Sequence, residues 1–493
     1  MFSNYLKTAW RSIITNKVYS ALNILGLAAG MAVALLIALW VYSEYSYDKF
    51  LPNYSQLYQV ERNFTNNGEI GTVNSSSLAL ADKLRSDIPE IEAVAETDYF
   101  NSHGLMVGDK KLYMNGAQAG SDFLKIFQFP LLQGNAGLAL KDPFSIVLTQ
   151  ATAKALFGSE DVINKTVRVD NLHDLKVTGI LKDLPSNSTL HFAYLIPFSY
   201  YEFSVPSVKA DRSAGFDQNA YQIFVQLKPG IAYAQVEPKI RGIEKKYKKG
   251  ANTDIAMQPL QTWHLYTDYK NGKAVGGFIE YVHIFSIIGI LVLIIACINF
   301  INLTTARSEK RAREVGVRKA IGSHRRDLIF QFLTESVLVT FISFLFCLFF
   351  AWLALPFFNT LTGSRIGIPF SSAAFWLMMI GGVLLTGILA GSKPAFYLSS
   401  FNPVKVLKGI KTGKSATFSR KILVVVQFSC SIALIISTIV IYRQVQYAKD
   451  RPIGYNLSLL MQTDLNNDLG HHYEALKNDL LRSGVVRDVA NAS

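Results

Sequence analysis

Three short motifs in the 493-residue sequence contain residue types that bind phosphate or metal ions or act as nucleophiles. Residues 409–415 follow the order of a phosphate-binding loop, but only three residues separate the two glycines, too few for the backbone N–H groups to wrap a phosphate. His471 and His472 lack a third metal ligand nearby, and the serines at 75–77 lack a His at an informative spacing. We therefore expect no enzymatic activity, no cofactor and no metal site, and residues 409–415 fit a flexible basic linker better.

The most charged part of the chain is a basic segment at residues 299–335, which lies between two long apolar runs. Between Thr305 and Leu328 it holds eight Arg or Lys residues against three acids, and no Pro interrupts it. Two acids in this stretch are each followed four residues later by Arg, an order that favours a helix. The pattern predicts a short helix at the membrane surface.

That short helix has two different faces. One face is charged and the other is small and apolar: Arg307, Arg311, Glu314 and Arg318 on the first, and Ala312, Val315, Gly316 and Ala320 on the second. Ile321 and Gly322 indicate the end of the helix, and Ser323 is suited to cap the next one. Such a helix is suited to docking against another protein. A basic loop that only fixes the orientation in the membrane explains the same composition.

Composition indicates a membrane protein with a large soluble portion. Half of the residues are hydrophobic, 17% are charged, and the mean hydropathy is +0.22. The net charge of +13 is concentrated in three short segments beside apolar runs, with +3 in residues 1–20, +5 in 305–328 and +6 in 399–421. The rest of the chain is nearly neutral, so the basicity indicates membrane orientation and no nucleic-acid partner.

Five apolar runs are long enough to cross a membrane. The first is too long for a signal peptide, and no small-x-small cleavage site follows it. The three cysteines all lie inside apolar runs, with neither disulfide nor zinc spacing. The predicted spans are residues 21–43, 281–304, 328–356, 373–398 and 422–443.

The basic segments lie on one side of these spans and therefore predict the orientation. The N-terminus is expected on the cytoplasmic side. The expected fold is a polytopic α-helical membrane protein with a large extracytoplasmic α+β domain inserted between spans one and two. The cytoplasmic parts are an amphipathic N-terminal segment, a loop and a linker, at residues 1–20, 305–327 and 399–421. The outer parts are a domain at 44–280 and the start of an incomplete second domain at 444–493.

The outer domain mixes strand and helix signals. Residues 145–149 predict a strand whose last residue, Thr149, caps a helix at 150–157 that ends at Gly158. Residues 165–169 and 175–181 predict a hairpin around Asp170 and Asn171. We expect an α+β domain in two subdomains.

The tail contains a short internal similarity to the outer domain. The tripeptide Leu-Arg-Ser at 84–86, with Val-Ala at 94–95, recurs at 481–483, with Val-Ala at 489–490. A chance match explains so few residues. The other reading is a second outer domain that this chain begins, which with the odd number of spans indicates a fragment of a longer protein.

Glu335 lies within the third apolar run, where an ionised carboxylate is costly unless it is paired. A position near the interface, paired with Arg325, Arg326 or a partner subunit, is one reading. A role in coupling to an ion is the other.

The basic segment and the spans around it resemble the FtsX/MacB family of ABC-transporter permeases. The similarity covers nearly the whole chain, and one departure is Lys393, where many relatives carry Tyr. In the membrane part the resemblance rests on residues 299–303, 306–308, 311, 314–322, 331–336, 391–392, 394–399, 403–404 and 426–428. In the outer domain, residues 121–123, 132–134, 156–158 and 177–180 resemble the family's periplasmic core domain.

The resemblance implies that the loop after the second span forms a coupling helix, which binds a separate ABC ATPase subunit on the cytoplasmic face. It implies four spans per half, so that this chain is an N-terminal fragment of a longer two-half permease. It also implies the bacterial inner membrane, contact with membrane lipid, and a periplasmic adaptor or substrate protein. The coupling residues implied are Arg311, Glu314, Gly316, Arg318, Lys319 and Gly322.

The function implied is that of a permease subunit that works by mechanotransmission. ATP hydrolysis by the bound ATPase would move the coupling helix, tilt the spans and reshape the periplasmic domain, for export or release of a substrate outside the inner membrane. The alternative is an FtsX-like signalling protein that controls a periplasmic partner such as a cell-wall hydrolase.

Overall fold

The computed structural model describes residues 2–399, 414–451, 459–463, 469–470 and 472–491. For residues 2–4, 307–314, 398 and 414–420 it describes the backbone only. Residues 409–413 of the loop-like motif and His471 lie outside the described residues. The chain divides into two compact units. We call Met1–Ser43 with Tyr281–Leu457 the helical unit, and Glu44–Glu280 with Ser458–Ser493 the sheet unit.

The described residues form helices of very different lengths. In chain order they are α1 (Phe2–Thr15), α2 (Lys17–Tyr45), α3 (Leu78–Asp87), α4 (Phe123–Phe127), α5 (Gln150–Phe157), α6 (Phe198–Ser204), α7 (Pro206–Ser213), α8 (Tyr233–Arg241), α9 (Ile243–Tyr247), α10 (Leu260–Trp263), α11 (Phe278–Ala320), α12 (Arg325–Thr362), α13 (Ala373–Ser399), α14 (Lys414–Asp450) and α15 (Tyr473–Arg482).

The strands all lie in the sheet unit. They are β1 (Leu57–Asn66), β2 (Glu69–Val73), β3 (Ile91–Thr97), β4 (Ser102–Val107), β5 (Lys110–Asn115), β6 (Ala117–Ala119), β7 (Leu131–Gly134), β8 (Ser145–Thr149), β9 (Thr166–Val169), β10 (His173–Leu181), β11 (Tyr194–Pro197), β12 (Gln222–Leu227), β13 (Thr253–Pro259), β14 (Asp268–Lys270) and β15 (Lys273–Gly276).

Among the described residues, five helices contain stretches long and apolar enough to cross a membrane, which confirms the predicted fold class. These stretches are Lys17–Tyr45, Phe278–Ala306, Arg325–Thr362, Ala373–Tyr397 and Lys421–Asp450.

The boundaries of the second and third spans differ from the prediction. The expected short helix after the second span is wrong as a separate element, because α11 continues without a break for 43 residues. No Pro interrupts that stretch, so the backbone hydrogen bonds of the span continue into the basic segment. The next helix is preceded by His324 at the N-cap position, so the expected cap at Ser323 is also wrong. Helix α12 then extends to Thr362 and ends at Gly363, which has a φ of +65°.

Close helix packing in the helical unit depends on small residues. A Cβ placed on Gly391 of α13 would lie 2.5 Å from Cβ of Ser336 in α12, and one on Gly387 would lie 3.0 Å from Cα of Val337. A Cβ on Gly30 of α2 would likewise collide with Ala296 of α11. Glycines four residues apart allow two helix backbones to approach closely where lipid gives no hydrophobic driving force. The α12–α13 pair is therefore tightly joined.

The sheet unit is built on one continuous mixed sheet, which among the described residues has 13 strands. Its order is β13-β1-β12-β3-β6-β11-β8-β10-β9-β4-β5, with β2 beside β1 and β7 beside β10. The β6–β11 and β8–β10 pairs are parallel, and the others are antiparallel. No break in this sheet marks the expected two subdomains. Instead, each end has its own hydrophobic cluster, and an aromatic cluster around Phe123 and Phe127 lies between them.

Local predictions in the sheet unit are confirmed. The Thr149 hydroxyl accepts a hydrogen bond from the Thr152 N–H at the start of α5, and Gly158 ends that helix with a φ of +72°. Strands β9 and β10 form the predicted hairpin, in which Asp170 and Asn171 have φ values of +49° and +58°. Positive φ at both turn positions is the geometry that matches the twist of the flanking strands.

Two buried acidic groups lie in the sheet unit, and their surroundings shift their pKa values in opposite directions. Arg85 and Arg212 both pair with Glu96, and Arg212 also pairs with Asp82 and Glu202. Burial alone would raise the pKa of Glu96, but the two guanidinium groups outweigh it and hold that pKa below its usual value. At the other group, burial raises the pKa of Glu61 to about 7 although the Tyr269 hydroxyl lies 3.1 Å from its Oε1.

The two copies of Leu-Arg-Ser lie in similar local settings. Leu84 to Ser86 are in the last turn of α3, and Leu481 and Arg482 close α15, with Ser483 at its C-cap. The residues Val94 and Ala95 lie in β3, whereas Val489 and Ala490 lie outside any described strand. The similarity therefore extends to the helix end and not to the strand that follows it.

Candidate docking site

The loop between α11 and α12 forms a tight corner, which we define as residues 315–328. Gly322 adopts a φ of +103°, and its N–H donates to the Lys319 carbonyl while the Ser323 N–H donates to the Arg318 carbonyl, at 3.1 Å and 3.0 Å. These two bonds around a left-handed Gly are the Schellman arrangement that ends a helix. The chain is thereby returned directly into α12, and the predicted end at Ile321 and Gly322 is confirmed.

The inner side of the corner is packed. Val315 is 2% exposed and lies in a cluster with Leu328, Phe332 and Ala395. This cluster joins the end of α11 to the start of α12 and to α13. Burial of such side chains stabilises the corner by about 1.5–3 kcal/mol for each fully buried residue.

Polar contacts attach the corner to its neighbours. The Arg318 guanidinium donates to Oε1 of Gln331 at 2.8 Å, and the Lys319 ammonium donates to the carbonyl oxygen of Ser399 at 2.6 Å. Burial, together with the nearby Arg325, lowers the pKa of Lys319. The corner is thus attached through side chains to both α12 and the end of α13.

The tip of the corner is apolar and exposed. Ile321 is 81% exposed and Val317 is 45% exposed, and Ala320 and Gly322 are also exposed. Of the predicted small apolar face, Val315 is packed, whereas Ala320, the last residue of α11, is exposed. We call Val317, Ala320, Ile321 and Gly322 the corner tip.

The predicted coupling residues are placed as follows. Arg311 and Glu314 lie on the helical backbone of α11, with their side chains outside the described part of the structure. Gly316 is buried, and Arg318 and Lys319 are partly buried and bonded within the chain. Sequence reasoning missed Ile321. An isolated apolar residue at a Gly-terminated helix end among basic residues was the signal that could have indicated it.

Behind the corner lies a cavity of about 770 Å³ in the helical unit. We call it the inner cavity. It is bounded by α1, the start of α2, the end of α11 and the start of α12. Among the described side chains, its charged lining residues are Arg11, Arg318 and Glu335. The Ser12 hydroxyl donates to Oε1 of Glu335 at 2.8 Å, a partner that the sequence did not indicate.

The chemistry of the described residues agrees with a site for docking. No group of three or more His, Cys, Asp or Glu residues in the described ranges could hold a metal ion. Cys297, Cys347 and Cys430 are free thiols. What the corner offers is a rigidly supported apolar tip with cationic side chains beside it.

The chain matches two known domain families. The family described as the MacB-like periplasmic core domain matches residues 20–243, and the family described as the FtsX-like permease C-terminal domain matches residues 286–403. The second match contains the whole corner. The two matches therefore include most of the sheet unit and four of the five candidate spans.

Curated relatives are similar over most of this chain. The macrolide export ATP-binding/permease protein MacB of Haemophilus ducreyi is 25% identical over 427 residues, which are 82% of this chain and 56% of the relative. The pyoverdine export ATP-binding/permease protein PvdT of Pseudomonas syringae is 22% identical over 415 residues, 82% of this chain and 59% of the relative. The chain thus spans less than two thirds of the length of these relatives.

Among solved structures, the periplasmic region of MacB from Actinobacillus actinomycetemcomitans is similar, with a TM-score of 0.32, 19% identity and coverage of 42% of this chain and 90% of that one. The family assignment rests on the two domain matches and the curated relatives. With a MacB-like periplasmic core domain and an FtsX-like permease domain, this multi-pass membrane protein belongs to the FtsX/MacB-like family of ABC-transporter permeases.

Proposed function

We propose that the chain is the transmembrane subunit of an ABC transporter and that a separate ABC ATPase drives it by docking at the corner tip. The observation that carries this proposal is Ile321, which is 81% exposed at the end of a helix whose other side is fixed by Val315, Arg318 and Lys319. An exposed apolar anchor on a rigid support is typical of an interface hot spot. The names of the MacB and PvdT relatives, both ATP-binding/permease proteins, support the same partner.

The corner is suited to transmit force because it is attached to three helices. It closes α11 onto α12, and the bond from Lys319 to Ser399 attaches it to α13. The close packing of Gly387 and Gly391 against α12 makes α12 and α13 move together. A push on the tip would therefore tilt the spans as a group. We assign to this movement the mechanical work that reshapes the sheet unit, by mechanotransmission.

The six predicted residues keep proposed roles in this scheme. Arg318 and Lys319 support the corner, Gly322 permits its turn, and Gly316 lets the end of α11 lie close to its neighbours. Arg311 and Glu314, one turn or more before the tip, are assigned to charge contacts with the ATPase.

The orientation follows from charge. Residues 1–20, 305–328 and 399–421 carry +3, +5 and +6, and each borders a candidate span. By the positive-inside rule we place all three on the cytoplasmic side, where an ATPase finds its nucleotide. The sheet unit, inserted between spans one and two, then lies in the periplasm. There it would contact a substrate or a periplasmic adaptor for export or release. The relatives are named as exporters, which does not favour the signalling alternative.

The test is a single charge at the tip. Ile321→Asp replaces an apolar anchor by a carboxylate, and a buried unpaired charge in the interface should lower recovery of the ATPase about tenfold or more. The measurement is affinity capture of the tagged chain from native membranes, followed by mass spectrometry of the ABC ATPases recovered.

A matched control is available in Val485→Asp, because Val485 is 89% exposed and is not part of the corner. It should leave the recovery of the ATPase unchanged. Equal recovery with wild type and Ile321→Asp would contradict docking at the corner tip, provided that both proteins elute as the same folded species.

A further inference from the structure

The inner cavity carries both signs of charge. The guanidinium groups of Arg11 and Arg318 line it together with the Glu335 carboxylate. Hydroxyl and amide groups complete the polar part, including Ser12, Asn16 and Gln331. Leu303, Val315 and Phe332 form apolar wall. With a volume of about 770 Å³ the cavity has room for a small polar group together with the beginning of an apolar chain.

Helix α1 places this cavity at the membrane surface. Leu6, Trp10 and Ile14 recur at intervals of four and are 37%, 53% and 48% exposed, so they form an uncovered apolar stripe along the helix. Thr8, Arg11 and Ser12 of the same helix line the cavity instead. A helix with an exposed apolar stripe beside cationic side chains lies in the headgroup layer, with lipid against the stripe. The cavity is therefore at headgroup depth.

The apolar part of α11 also places the cavity at headgroup depth. The candidate membrane stretch of this helix ends at Ala306, and both Leu303 and Ala306 line the cavity. The Arg318 side chain reaches the cavity from the basic end of the helix. The apolar and basic parts of the cavity wall thus meet at the boundary between the acyl chains and the phosphate groups of the membrane.

The charges that line the cavity indicate which type of lipid headgroup it would bind. A guanidinium binds phosphate oxygens through paired N–H donors, and two of them favour a phosphodiester. A carboxylate repels a purely anionic headgroup but accepts hydrogen bonds from a primary ammonium. The Ser12 hydroxyl, 2.8 Å from Oε1 of Glu335, helps to hold this carboxylate in place. A choline headgroup has no N–H to donate.

We propose that the inner cavity binds the headgroup of an aminophospholipid, a phosphatidylethanolamine. Arg11 and Arg318 contact the phosphate and Glu335 accepts from the ammonium. The acyl chains begin against the apolar wall formed by Leu303, Val315 and Phe332. This site does not depend on the proposed ATPase docking, and a bound lipid would connect α1 to the end of α11 behind the corner.

The experiment uses the purified full chain in detergent with equal amounts of dioleoyl phosphatidylethanolamine, phosphatidylcholine and phosphatidylglycerol, and native mass spectrometry counts the lipids retained. Wild type should retain phosphatidylethanolamine roughly fivefold more than either other lipid, because only this headgroup carries both a phosphate for the guanidinium groups and N–H donors for the Glu335 carboxylate. Glu335→Gln should abolish the preference over phosphatidylcholine. Arg11→Gln should weaken the retention of all three lipids.

Lys7→Gln is the matched control, because Lys7 is exposed on the same helix, carries the same charge and does not line the cavity. It should keep the lipid preference of wild type. Arg11 is exposed, so its replacement tests the site without loss of a packed side chain. Thermal unfolding of each variant checks that Glu335→Gln remains folded.

Three results would overturn the proposal. The first is equal retention of the three lipids by wild type. The second is a preference that is unchanged in both Glu335→Gln and Arg11→Gln. The third is displacement of the lipid by soluble phosphoethanolamine at equal concentration, which would indicate a water-soluble ligand with the same charges and no role for the membrane.

Discussion

The Lys319 ammonium donates a hydrogen bond to the carbonyl oxygen of Ser399, 2.6 Å away, and so joins the end of α11 to the last residue of α13. The carbonyl groups at a helix C-terminus lack partners within the helix and carry partial negative charge, which makes a cation their favoured partner. The two residues are separated by 80 positions in sequence. The bond therefore connects the corner directly to α13, with no residue of α12 between them.

Lys319→Met should remove this attachment while keeping the aliphatic part of the side chain. We expect a loss of about 1.5–3 kcal/mol in the free energy of unfolding, the range for a hydrogen bond with a charged group. Lys319→Arg should retain most of it. Thermal unfolding of the purified chain measures the change, and equal melting temperatures for wild type and Lys319→Met would show that the bond contributes nothing.

Gly391→Leu should separate α12 from α13. A Cβ added at this position would lie 2.5 Å from Ser336 Cβ, so a larger side chain forces the helices apart. The free energy of unfolding should fall by roughly 1–3 kcal/mol or more. Gly382→Leu is the control in the same helix, since a Cβ there meets nothing within 4 Å. Melting temperatures in detergent should fall for the first variant only. A similar fall for both would mean that helix propensity, and not packing, decides the effect.

Glu61→Gln should change how stability depends on pH. The pKa of Glu61 is raised from 4.5 to about 7 by burial, so the folded protein binds this proton more tightly than the unfolded chain. The stability that this proton provides is complete below about pH 4.5 and is lost as the pH rises through 7. The neutral amide of Gln should remove this loss in the free energy of unfolding, which is on the order of 2–3 kcal/mol between pH 5 and pH 8. Unfolding measured from pH 5 to pH 8 should show a flatter profile for the variant, and parallel profiles would contradict the shift.

Arg212→Met should destabilise the sheet unit at neutral pH and much less in acid. It removes contacts to Glu96, Asp82 and Glu202, and a broken buried ion pair costs about 3–5 kcal/mol. Because the folded pKa of Glu96 is lowered, its stabilising effect is present above its unfolded pKa and disappears as the pH falls through the folded value. The difference between wild type and variant should therefore shrink below about pH 4. Chemical denaturation at pH 7 and at about pH 2.5 measures it; a constant difference would exclude this electrostatic origin.

Features set by local chemistry could be predicted from the sequence. The spans follow from runs of apolar residues, the β9–β10 hairpin from Asp170 and Asn171, and the ends of α5 from Thr149 and Gly158. In each case neighbouring residues decide the backbone conformation. The fold class could be inferred for the same reason.

Features that depend on distant contacts could not be predicted. The continuity of α11 was missed because a change from apolar to basic residues marks a membrane boundary and not a helix end. For Glu335 the sequence suggested Arg325, Arg326, a partner subunit or a coupled ion, and it did not suggest Ser12 of α1, which donates to this carboxylate across 323 positions. The exposure of Ile321 depends on how the corner packs, and no periodicity in the segment reports that.

The length of α11 has a mechanical consequence. At about 1.5 Å per residue, a continuous helix of 43 residues is a rod roughly 65 Å long. That is about twice the thickness of the hydrocarbon layer, so a large part of it must project beyond the bilayer. Pivoting such a rod by about 5° shifts its far end by roughly 6 Å. Because the helix is unbroken, a small rotation at one end is carried along its whole length.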